Sequence, residues 1–338
     1  MKTWTYYLGL SALFLISIAQ PAKAQTALDS LLAAHQVPGL ALGLIEDGQA
    51  LPPRYVGERA PGQPLPEKAL FNTASLTKSM TAYLVMQLVE GGSLRMSESL
   101  APYWVDPEIA DDSRHVLLTP HVILSHQTGF ANWRWMEEDG TLQFRFEPGS
   151  QFGYSGEGYE YLRRALEAKY HQDFRTLVDS LVFEPLGMHD SHLSWQADLD
   201  TARYAGEYAD PKTPYAITVT EAGAADDLIT TVEDLQRFVV ALLKETLPHH
   251  PEYFADQIAP RPGLAFSYGW VRMNDLQGES YGLLSAGSDQ GVNALLILLP
   301  EEGKGMVALT NGDGGRAVVM QLLATQLGEG GRAMLGRF

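Results

Sequence analysis

Cysteine is absent from this chain of 338 residues. Its absence excludes disulfide bonds, a thiolate nucleophile and zinc sites that depend on cysteine ligands. It also excludes a lipid attached at an amino-terminal cysteine. Basic residues are scarce, since 24 lysines and arginines stand against 41 aspartates and glutamates, for a formal net charge of −17. We therefore expect no nucleic acid as a partner and no binding to anionic lipid surfaces.

Long apolar runs are scarce as well, and the one of note occupies the amino terminus. Lys2 is followed by an apolar run from about Tyr6 to Ala19, and an A-x-A pattern ends at Ala24. A membrane-spanning helix needs about 20 apolar residues, more than this run offers. We predict a signal peptide over residues 1–24, cleaved after Ala24, and no membrane span after cleavage. The predicted location is periplasmic or secreted.

The remaining sequence predicts both helices and strands. Residues 75–90 are the clearest helix, because apolar side chains recur at helical spacing and two glycines follow. Residues 93–200 are mostly helical, whereas residues 51–66 hold five prolines and are predicted as turns or an irregular edge. About the last 75 residues consist of short strands and a final helix near 315–327. This order predicts a sheet assembled from both ends of the chain, with a helical region in the middle and functional residues between the two.

Two serines stand in patterns typical of nucleophiles, and one of them is Ser280. Gly278-Glu279-Ser280-Tyr281-Gly282 matches G-x-S-x-G, the nucleophile elbow of α/β-hydrolases. That elbow needs a helix after the serine and a histidine later in the chain. The last histidine is His250, and the sequence after Ser280 is strand-like. We therefore interpret the match as a turn that enters a strand. No local feature nominates a chymotrypsin-like His-Asp-Ser set either.

The other serine is Ser75, in the stretch FNTASLTKSM. Ser75 and Lys78 are three residues apart, so a helix that begins here places both on one face, one turn apart. A serine hydroxyl is a poor nucleophile unless a base takes its proton, and a desolvated lysine can act as that base. Backbone N–H groups at a helix start can stabilise an oxyanion. The S-x-x-K spacing alone is a weak signal, and the alternative is an ordinary capped helix with an exposed lysine.

Longer stretches carry a resemblance to a known superfamily. FNTASLTKSMTAYLVMQLVEGGSL, residues 71–94, resembles the S-x-x-K helix of the serine β-lactamase and penicillin-binding-protein superfamily. The most similar branch holds class C β-lactamases, D-alanyl-D-alanine carboxypeptidases and class VIII esterases. The other stretches that resemble this branch are VILSHQTGF (122–130), EPGSQFGYSGEGYEYL (147–162), PLGMHDS (185–191), AGAADDLITTVEDLQRF (222–238) and GSDQGVNALLILLPEEGKGMVALTNG (287–312).

The resemblance implies an α+β fold, with an antiparallel β-sheet flanked by helices and an all-helical region over roughly residues 80–200. It implies one β-lactamase-like serine hydrolase domain over residues 25–338. Ser75 would be the acylated nucleophile and Lys78 its activating partner. Tyr154 would fill the tyrosine position of a Y-x-N motif and shuttle the proton. The implied mechanism is formation and hydrolysis of an acyl-enzyme, without metal or cofactor.

Two motifs of that superfamily are altered in this sequence. Gly156 replaces the asparagine of Y-x-N, whose amide helps to organise the lysine and to bind substrate, and the adjacent Glu157 is a candidate for polar contacts in its place. Ser285 stands where the superfamily has the lysine of Lys-Thr-Gly or the histidine of His-x-Gly, so the group that engages a substrate carboxylate is absent. Gly287 remains, and the backbone N–H of Ser288 would complete the oxyanion hole. The predicted oxyanion and substrate-binding residues are Ser75, Gly156, Ser285, Gly287 and Ser288.

The missing charge argues against efficient hydrolysis of β-lactams or of D-Ala-D-Ala peptides. Our leading hypothesis is an exported serine hydrolase, an esterase or amidase that acts on small or cell-envelope acyl substrates. A D-Ala-D-Ala-type peptidase or β-lactamase is the first alternative. A catalytically weak or inactive binding protein on the same fold is the second. The expected partner is a small-molecule or peptide acyl substrate, and the sequence makes no prediction of oligomeric state.

Several other side chains have competing interpretations. His126 is predicted to have a structural hydrogen-bonding role rather than to act as a base. His249-His250 is interpreted as a surface pair without a third ligand nearby, so no metal site is predicted. Asp226-Asp227 is predicted to lie in a loop before a helix. The candidates for an acyl pocket or for core packing are Trp133, Trp135 and Trp270.

Overall fold

The structure is a computed structural model that describes residues 25–216, 220–277 and 280–337. The predicted signal peptide, residues 1–24, lies outside the described residues, and so do Gly278 and Glu279 of the G-x-S-x-G match. In chain order the described strands are β1 (Gly39–Glu46), β2 (Gln49–Ala50), β3 (Arg54–Ala60), β4 (Gln63–Pro64), β5 (Phe71–Asn72), β6 (Tyr208–Asp210), β7 (Thr213–Pro214), β8 (Ile229–Thr230), β9 (Ile258–Arg261), β10 (Leu264–Phe266), β11 (Val271–Met273), β12 (Gly282–Asp289), β13 (Val292–Leu299) and β14 (Lys304–Thr310).

Helices make up most of the remaining regular structure. The described helices are α1 (25–35), α2 (Thr77–Glu90), α3 (Pro120–Leu124), α4 (Gly156–Tyr170), α5 (Phe174–Val178), α6 (Glu184–Leu186), α7 (Val232–Ala241), α8 (Leu247–His249), α9 (Gly315–Gln326) and α10 (Gly328–Leu335). A π-helical turn joins α5 to α6, and another joins α7 to α8. The 3-10 turns are Ala74–Leu76, Pro107–Ile109, Ser113–Leu117, Arg134–Met136, Pro251–Phe254 and Pro300–Glu302. Within the described ranges, no helix combines the length and the apolar character that crossing a bilayer requires.

The main sheet is antiparallel and draws on both ends of the chain. Among the described residues it has ten strands in the order β4-β3-β1-β14-β13-β12-β11-β10-β9, with β2 paired to β1. β1 pairs with β14 from Leu40 opposite Thr310 to Ile45 opposite Gly305. Between β5 and β6 all residues are described, and the regular elements there are helices. The predicted α+β fold, with a sheet assembled from both ends of the chain, is therefore confirmed.

Helices cover both faces of the sheet. In β13, Leu295, Ile297 and Leu299 pack in one apolar cluster with side chains of α1, α9 and α10. The alternate residues Leu296 and Leu298 pack in a second cluster with side chains of α2 and α7. Because successive residues of a strand point to opposite faces, the sheet lies between two layers of helices.

The described residues of the G-x-S-x-G match, 280–282, lead into a strand, as the sequence predicts. Ser280 Oγ donates a hydrogen bond to the carbonyl oxygen of Gln277 at 3.0 Å and accepts one from Gln277 N at 3.0 Å. The strand β12 begins two residues later, at Gly282. A strand rather than a helix follows the serine, so Ser280 does not have the structural context of a nucleophile elbow.

The turn that carries Ser75 lies against β12. Ala74 has a φ of +46°, in the left-handed region that is uncommon for a residue with a side chain, and the chain turns sharply there before α2. A Cβ atom at Gly287 of β12 would lie 1.8 Å from the carbonyl oxygen of Thr73 and 2.9 Å from Leu76 N. Only glycine allows this approach, and it brings β12 next to Ser75.

Candidate active site

Ser75 and Lys78 meet at the start of α2. Ser75 lies in the 3-10 turn that precedes the helix, and Lys78 is its second residue. The Lys78 amine donates hydrogen bonds to Ser75 Oγ at 3.0 Å and to the carbonyl oxygen of Ala225 at 2.8 Å. Lys78 is only 3% exposed, so little water competes for these bonds. With the amine in its neutral form, the same contact lets the serine hydroxyl pass its proton to nitrogen.

The three predicted catalytic residues line one cavity. Ser75, Lys78 and Tyr154 surround a space of about 50 Å³. Tyr154 is 39% exposed, and its ring centroid lies 5.0 Å from Lys78 Nζ, which places the amine over the aromatic face. The other lining residues are His126, Phe266, Gly269, Trp270, Val271, Leu284, Ser285 and Ala286. Most of these side chains are apolar, so they offer little to a charged group.

His126 packs against Tyr154 and accepts a hydrogen bond from the next residue. Its ring centroid lies 4.3 Å from that of Tyr154, and its Nδ1 accepts a hydrogen bond from Ser155 N at 3.2 Å. Burial lowers the pKa of His126 to about 3, and the positive charge of Lys78 adds to the decrease. The imidazole is therefore neutral at physiological pH, with Nδ1 occupied as an acceptor. This geometry agrees with the structural role predicted for His126.

An indole occupies the space beside Gly156, where the motif has an asparagine side chain. A Cβ atom at Gly156 would lie 2.8 Å from two ring atoms of Trp133. The N–H of Gly156 donates to Asn132 Oδ1 at 2.9 Å. Asn132 directly precedes Trp133, so this bond helps to hold the loop that carries the indole. Asparagine therefore has no room at this position while Trp133 keeps its place. The sequence showed the missing amide but not the aromatic ring beside it.

Glu157 does not take over the contacts of the missing asparagine. Its carboxylate accepts hydrogen bonds from the Arg134 guanidinium at 2.6 and 2.8 Å and from Arg134 N at 3.0 Å. The same guanidinium binds Asp106 at 2.8 Å and Glu108 at 2.9 Å. Glu157 was suggested as a source of polar contacts in place of the asparagine, but its carboxylate is engaged with Arg134 instead. This ion-pair network instead anchors the loop that carries Trp133.

Segment 224–228 brings two carboxylates close to Lys78. Asp226 and Asp227 follow Ala225, whose carbonyl accepts from the amine, and both are partly buried. Burial raises the pKa of Asp226 to about 7, with the charge of Asp227 adding to the rise. Burial also raises the pKa of Asp227 to about 6, and the charge of Lys78 opposes both shifts. The loop location was predicted, but the electrostatic link to Lys78 was missed because it depends on a contact between residues 147 positions apart.

The other side chains named from the sequence lie in different settings. Trp270 is 2% exposed and lines the cavity, whereas Trp135 is 69% exposed. The prediction that His250 has no third ligand nearby was wrong, since its Nδ1 lies 3.3 Å from Glu90 Oε1 and 3.5 Å from Glu252 Oε1. Both carboxylates are on the surface, where such groups are common without a metal.

Comparison with known proteins places the chain in a family. Residues 24–328 match the family model described as Beta-lactamase. The chain belongs to the beta-lactamase family. The predicted relationship to this family of serine hydrolases is therefore confirmed.

Within the family, the chain is similar to proteins with different names. It is 26% identical over 234 residues to penicillin-binding protein 4 of Amycolatopsis lactamdurans, covering 63% of this chain and 61% of that protein. It is 28% identical over 200 residues to esterase EstB of Burkholderia gladioli, covering 50% of each. It is 22% identical over 305 residues to the D-alanyl-D-alanine-carboxypeptidase/endopeptidase AmpH of Escherichia coli (strain K12), covering 79% of this chain and 77% of that protein. The match thus spans less than two thirds of the length of the first two relatives.

Solved structures of the family share the fold. A class C beta-lactamase superposes with a TM-score of 0.75 at 20% identity, covering 90% of this chain and 97% of that chain. The D-alanine carboxypeptidase AmpC of Burkholderia cenocepacia superposes with a TM-score of 0.75 at 21% identity, covering 96% and 100%. At these identities the likeness shows the fold alone, and it confirms the predicted fold class.

Proposed function

We propose that this chain is an exported serine hydrolase in which Ser75 is acylated. The observation that carries the proposal is the 3.0 Å contact between Lys78 Nζ and Ser75 Oγ, made by an amine that is almost fully buried. A neutral lysine amine can accept a proton, and this contact places Lys78 Nζ where it can take the proton of the serine hydroxyl. The export step depends on the signal peptide proposed for residues 1–24.

The proposed reaction has two halves. Ser75 Oγ forms a bond to the acyl carbon while its proton passes to Lys78 Nζ, and Tyr154 gives a proton to the leaving group as its bond breaks. The N–H groups of Ser75 and Ser288 donate to the oxyanion, an arrangement supported by the close approach of Gly287 to the Ser75 turn. The proton on Lys78 Nζ then passes to Tyr154, which restores both groups. In the second half, water forms a bond to the acyl carbon while it gives a proton to Tyr154 or Lys78, and that proton passes to Ser75 Oγ as the acyl–oxygen bond breaks and the acid is released.

We infer that the substrate is a small or cell-envelope ester or amide without a carboxylate near the scissile bond. Ser285 lines the cavity where a cationic residue would bind such a carboxylate, and the apolar side chains of Phe266 and Trp270 line the same cavity. Asp227 adds negative charge close to Lys78, and Asp226 adds more above about pH 7. An anionic substrate would be repelled by these carboxylates, whereas a neutral acyl group would not. One relative carries the name esterase, which agrees with this choice.

A second candidate is a peptidase or β-lactamase, and Arg316 favours it. Arg316 is exposed near the start of α9 and lines a neighbouring cavity of about 100 Å³ together with Ala286, Gly287 and Ser288. A guanidinium at this end of β12 offers a bidentate partner for a substrate carboxylate. Two relatives are named as a penicillin-binding protein and a carboxypeptidase.

The deciding experiment combines active-site labelling with a matched substrate pair. We expect a fluorophosphonate to label the purified protein at Ser75, located by mass spectrometry, and expect Ser75→Ala to abolish labelling while Ser280→Ala does not. A neutral short-chain ester should be hydrolysed faster than the same ester with a carboxylate, and faster than a penicillin. A preference for the anionic ester that disappears in Arg316→Ala would favour the peptidase. An adduct at Ser280 would contradict the proposal, and neither adduct nor turnover would favour a binding protein.

A further inference from the structure

A short main-chain segment holds the amine of Lys78 in place. In segment 224–228, the carbonyl oxygen of Ala224 accepts a hydrogen bond from Thr81 Oγ1 at 2.7 Å. The carbonyl oxygen of Ala225 accepts from Lys78 Nζ at 2.8 Å. The direction of the Ala225 carbonyl therefore helps to decide whether the amine points at Ser75 Oγ, its other hydrogen-bond partner.

The N–H groups of the same two alanines donate hydrogen bonds to Glu160. Glu160 Oε1 accepts from Ala224 N at 2.7 Å and from Ala225 N at 3.1 Å. Glu160 Oε2 accepts from Arg163 Nε at 2.7 Å, and the side chain of Glu160 is 19% exposed. Hydrogen bonds to an ionised acceptor are stronger than neutral ones, and partial burial preserves that strength.

We propose that Glu160 is a positioning residue that orients the Lys78 amine through Ala225, an inference that rests on the proposed role of Lys78. The peptide group is planar, so holding the N–H groups of Ala224 and Ala225 fixes the two peptide planes that lead into Ala225. The carbonyl of Ala225 belongs to the next peptide plane, which joins the second of these at the Cα atom of Ala225, so it can turn away from the amine only by rotation about the two backbone bonds of that one residue. Glu160 itself does not contact Ser75 Oγ and acts through the main chain.

The position of Glu160 on α4 connects the proposed base, Lys78, with the proposed proton donor, Tyr154. α4 begins at Gly156, directly after Tyr154 and Ser155, and Glu160 lies on its second turn. Tyr159 of the same helix has its ring centroid 5.6 Å from Lys78 Nζ. Tyr154 therefore lies two residues before the helix that supports Lys78 from its second turn, so a shift of α4 would move both together.

Glu167 provides a matched control on the same helix. Its Oε2 accepts from Arg163 Nη1 at 2.9 Å, and its Oε1 accepts a backbone N–H, that of Phe174, at 3.0 Å. Glu167 thus shares with Glu160 the helix, the arginine partner and a main-chain donor. The difference is that Phe174 begins α5, whereas the alanines held by Glu160 are bonded to α2.

The test measures the rate constant for modification of Ser75 by a fluorophosphonate as a function of pH. We expect Glu160→Ala to lower the rate constant by roughly 10- to 100-fold and to move the midpoint of its pH profile, because a small misplacement of a catalytic group has effects of this size. Glu160→Gln keeps an oxygen acceptor for both N–H groups and should recover most of the rate. Glu167→Ala should leave the midpoint unchanged and the rate close to that of the natural protein.

Equal losses in Glu160→Ala and Glu167→Ala, or an unmoved midpoint in Glu160→Ala, would overturn the proposal. If Glu160→Ala does not fold, Glu160→Asp replaces it, since the shorter side chain keeps the charge but does not reach both N–H groups. If Ser75 of the natural protein is not modified, the proposed function fails, and the positioning role is judged separately. The readout is then the NMR titration of Lys78 in 13C-lysine-labelled protein, assigned with Lys78→Met, which must shift in Glu160→Ala and not in Glu167→Ala.

Discussion

Gly287 shows how much one residue without a side chain contributes to this site. A Cβ atom added there would lie 1.8 Å from the carbonyl oxygen of Thr73 and 2.9 Å from Leu76 N. Both neighbours are backbone atoms, which cannot rotate away as a flexible side chain would. We expect Gly287→Ala to push β12 away from the Ser75 turn, to destabilise the protein by about 1–3 kcal/mol and to abolish labelling of Ser75. Urea unfolding and fluorophosphonate labelling measure the two effects.

The control for Gly287 is Gly336, which lies at the end of α10. A Cβ atom at Gly336 would lie 3.5 Å from its nearest neighbour, the carbonyl oxygen of Ala333, which is an ordinary contact. Gly336→Ala should therefore leave both stability and labelling nearly unchanged. If Gly287→Ala behaves like Gly336→Ala, the close approach of β12 to the Ser75 turn is not what positions the proposed oxyanion hole.

At the residue level, the sequence predicted the groups that belong to a local motif and missed those that act through distant contacts. Ser75 and Lys78 are three residues apart, so helix geometry alone places them together. Glu160 was missed because its partners, Ala224 and Ala225, lie more than 60 positions later in the chain. A glutamate on a predicted helix is normally a solvated surface residue, and nothing in its local pattern indicates bonds to a buried main chain.

At the scale of elements, residues 51–66 show why prolines misled the prediction. They were expected to form turns or an irregular edge, but β3 occupies residues Arg54–Ala60 and pairs with β1. The prolines lie outside β3, at positions before and after it, and Pro64 lies in β4 at the end of the sheet. An edge strand tolerates proline because its outer N–H groups need no partner within the sheet. The prediction of turns or an irregular edge was thus wrong for residues 54–60, which form a regular strand, and the edge of the sheet lies at β4.

The loop that carries Trp133 packs against the start of α4, where the Trp133 ring lies beside Gly156. Gly156→Asn should destabilise the protein by roughly 1–3 kcal/mol, because the new side chain meets the Trp133 ring. In a Trp133→Ala background the ring is gone, so the same substitution should cost less. We expect the two changes to be non-additive by at least about 0.5 kcal/mol in a double-mutant cycle measured by urea unfolding.

Trp135 supplies the control for this cycle, because it belongs to the same loop but is 69% exposed. The cost of Gly156→Asn should be the same with and without Trp135→Ala. An additive result with Trp133→Ala as well would mean that the indole moves aside easily. The loss of the motif asparagine would then need an explanation other than the space that Trp133 fills.

At the scale of the whole molecule, the sequence predicted that both ends of the chain supply strands to one sheet, but it did not predict the complete order of the strands. β13 is buried along all eight residues, VNALLILL, and its apolar run over residues 294–299 agrees with helices on both faces. A long apolar run marks a strand but does not say which strand lies beside it. The pairing of β1 with β14 follows from strands at both ends of the chain, whereas β9, β10 and β11 are too short to predict an extension beyond β12.

The stability of the whole protein should depend on pH through Asp226. Its pKa is raised from 3.8 to about 7, mainly by burial and to a smaller extent by the negative charge of Asp227. The folded state therefore holds a proton that the unfolded state releases above about pH 4, and the stability gained from that proton is lost as pH rises toward 7. Asp226→Asn, which stays neutral and keeps an acceptor oxygen, should be more stable than the natural protein at pH 8, by an amount on the order of a few kcal/mol.

This advantage should shrink as the pH falls and should vanish near pH 4, where the folded natural protein holds a neutral aspartic acid and the unfolded chain begins to take up the same proton. Thermal unfolding of both proteins between pH 4 and 8 measures the difference, and Asp111→Asn, which changes an exposed carboxylate, serves as the control. Parallel curves for Asp226→Asn and the natural protein would show that the carboxylate is solvated in the folded state. A widening gap toward pH 8 would instead mean that the fold retains an unfavourable buried charge beside Lys78, which is common where a site is built for function rather than for stability.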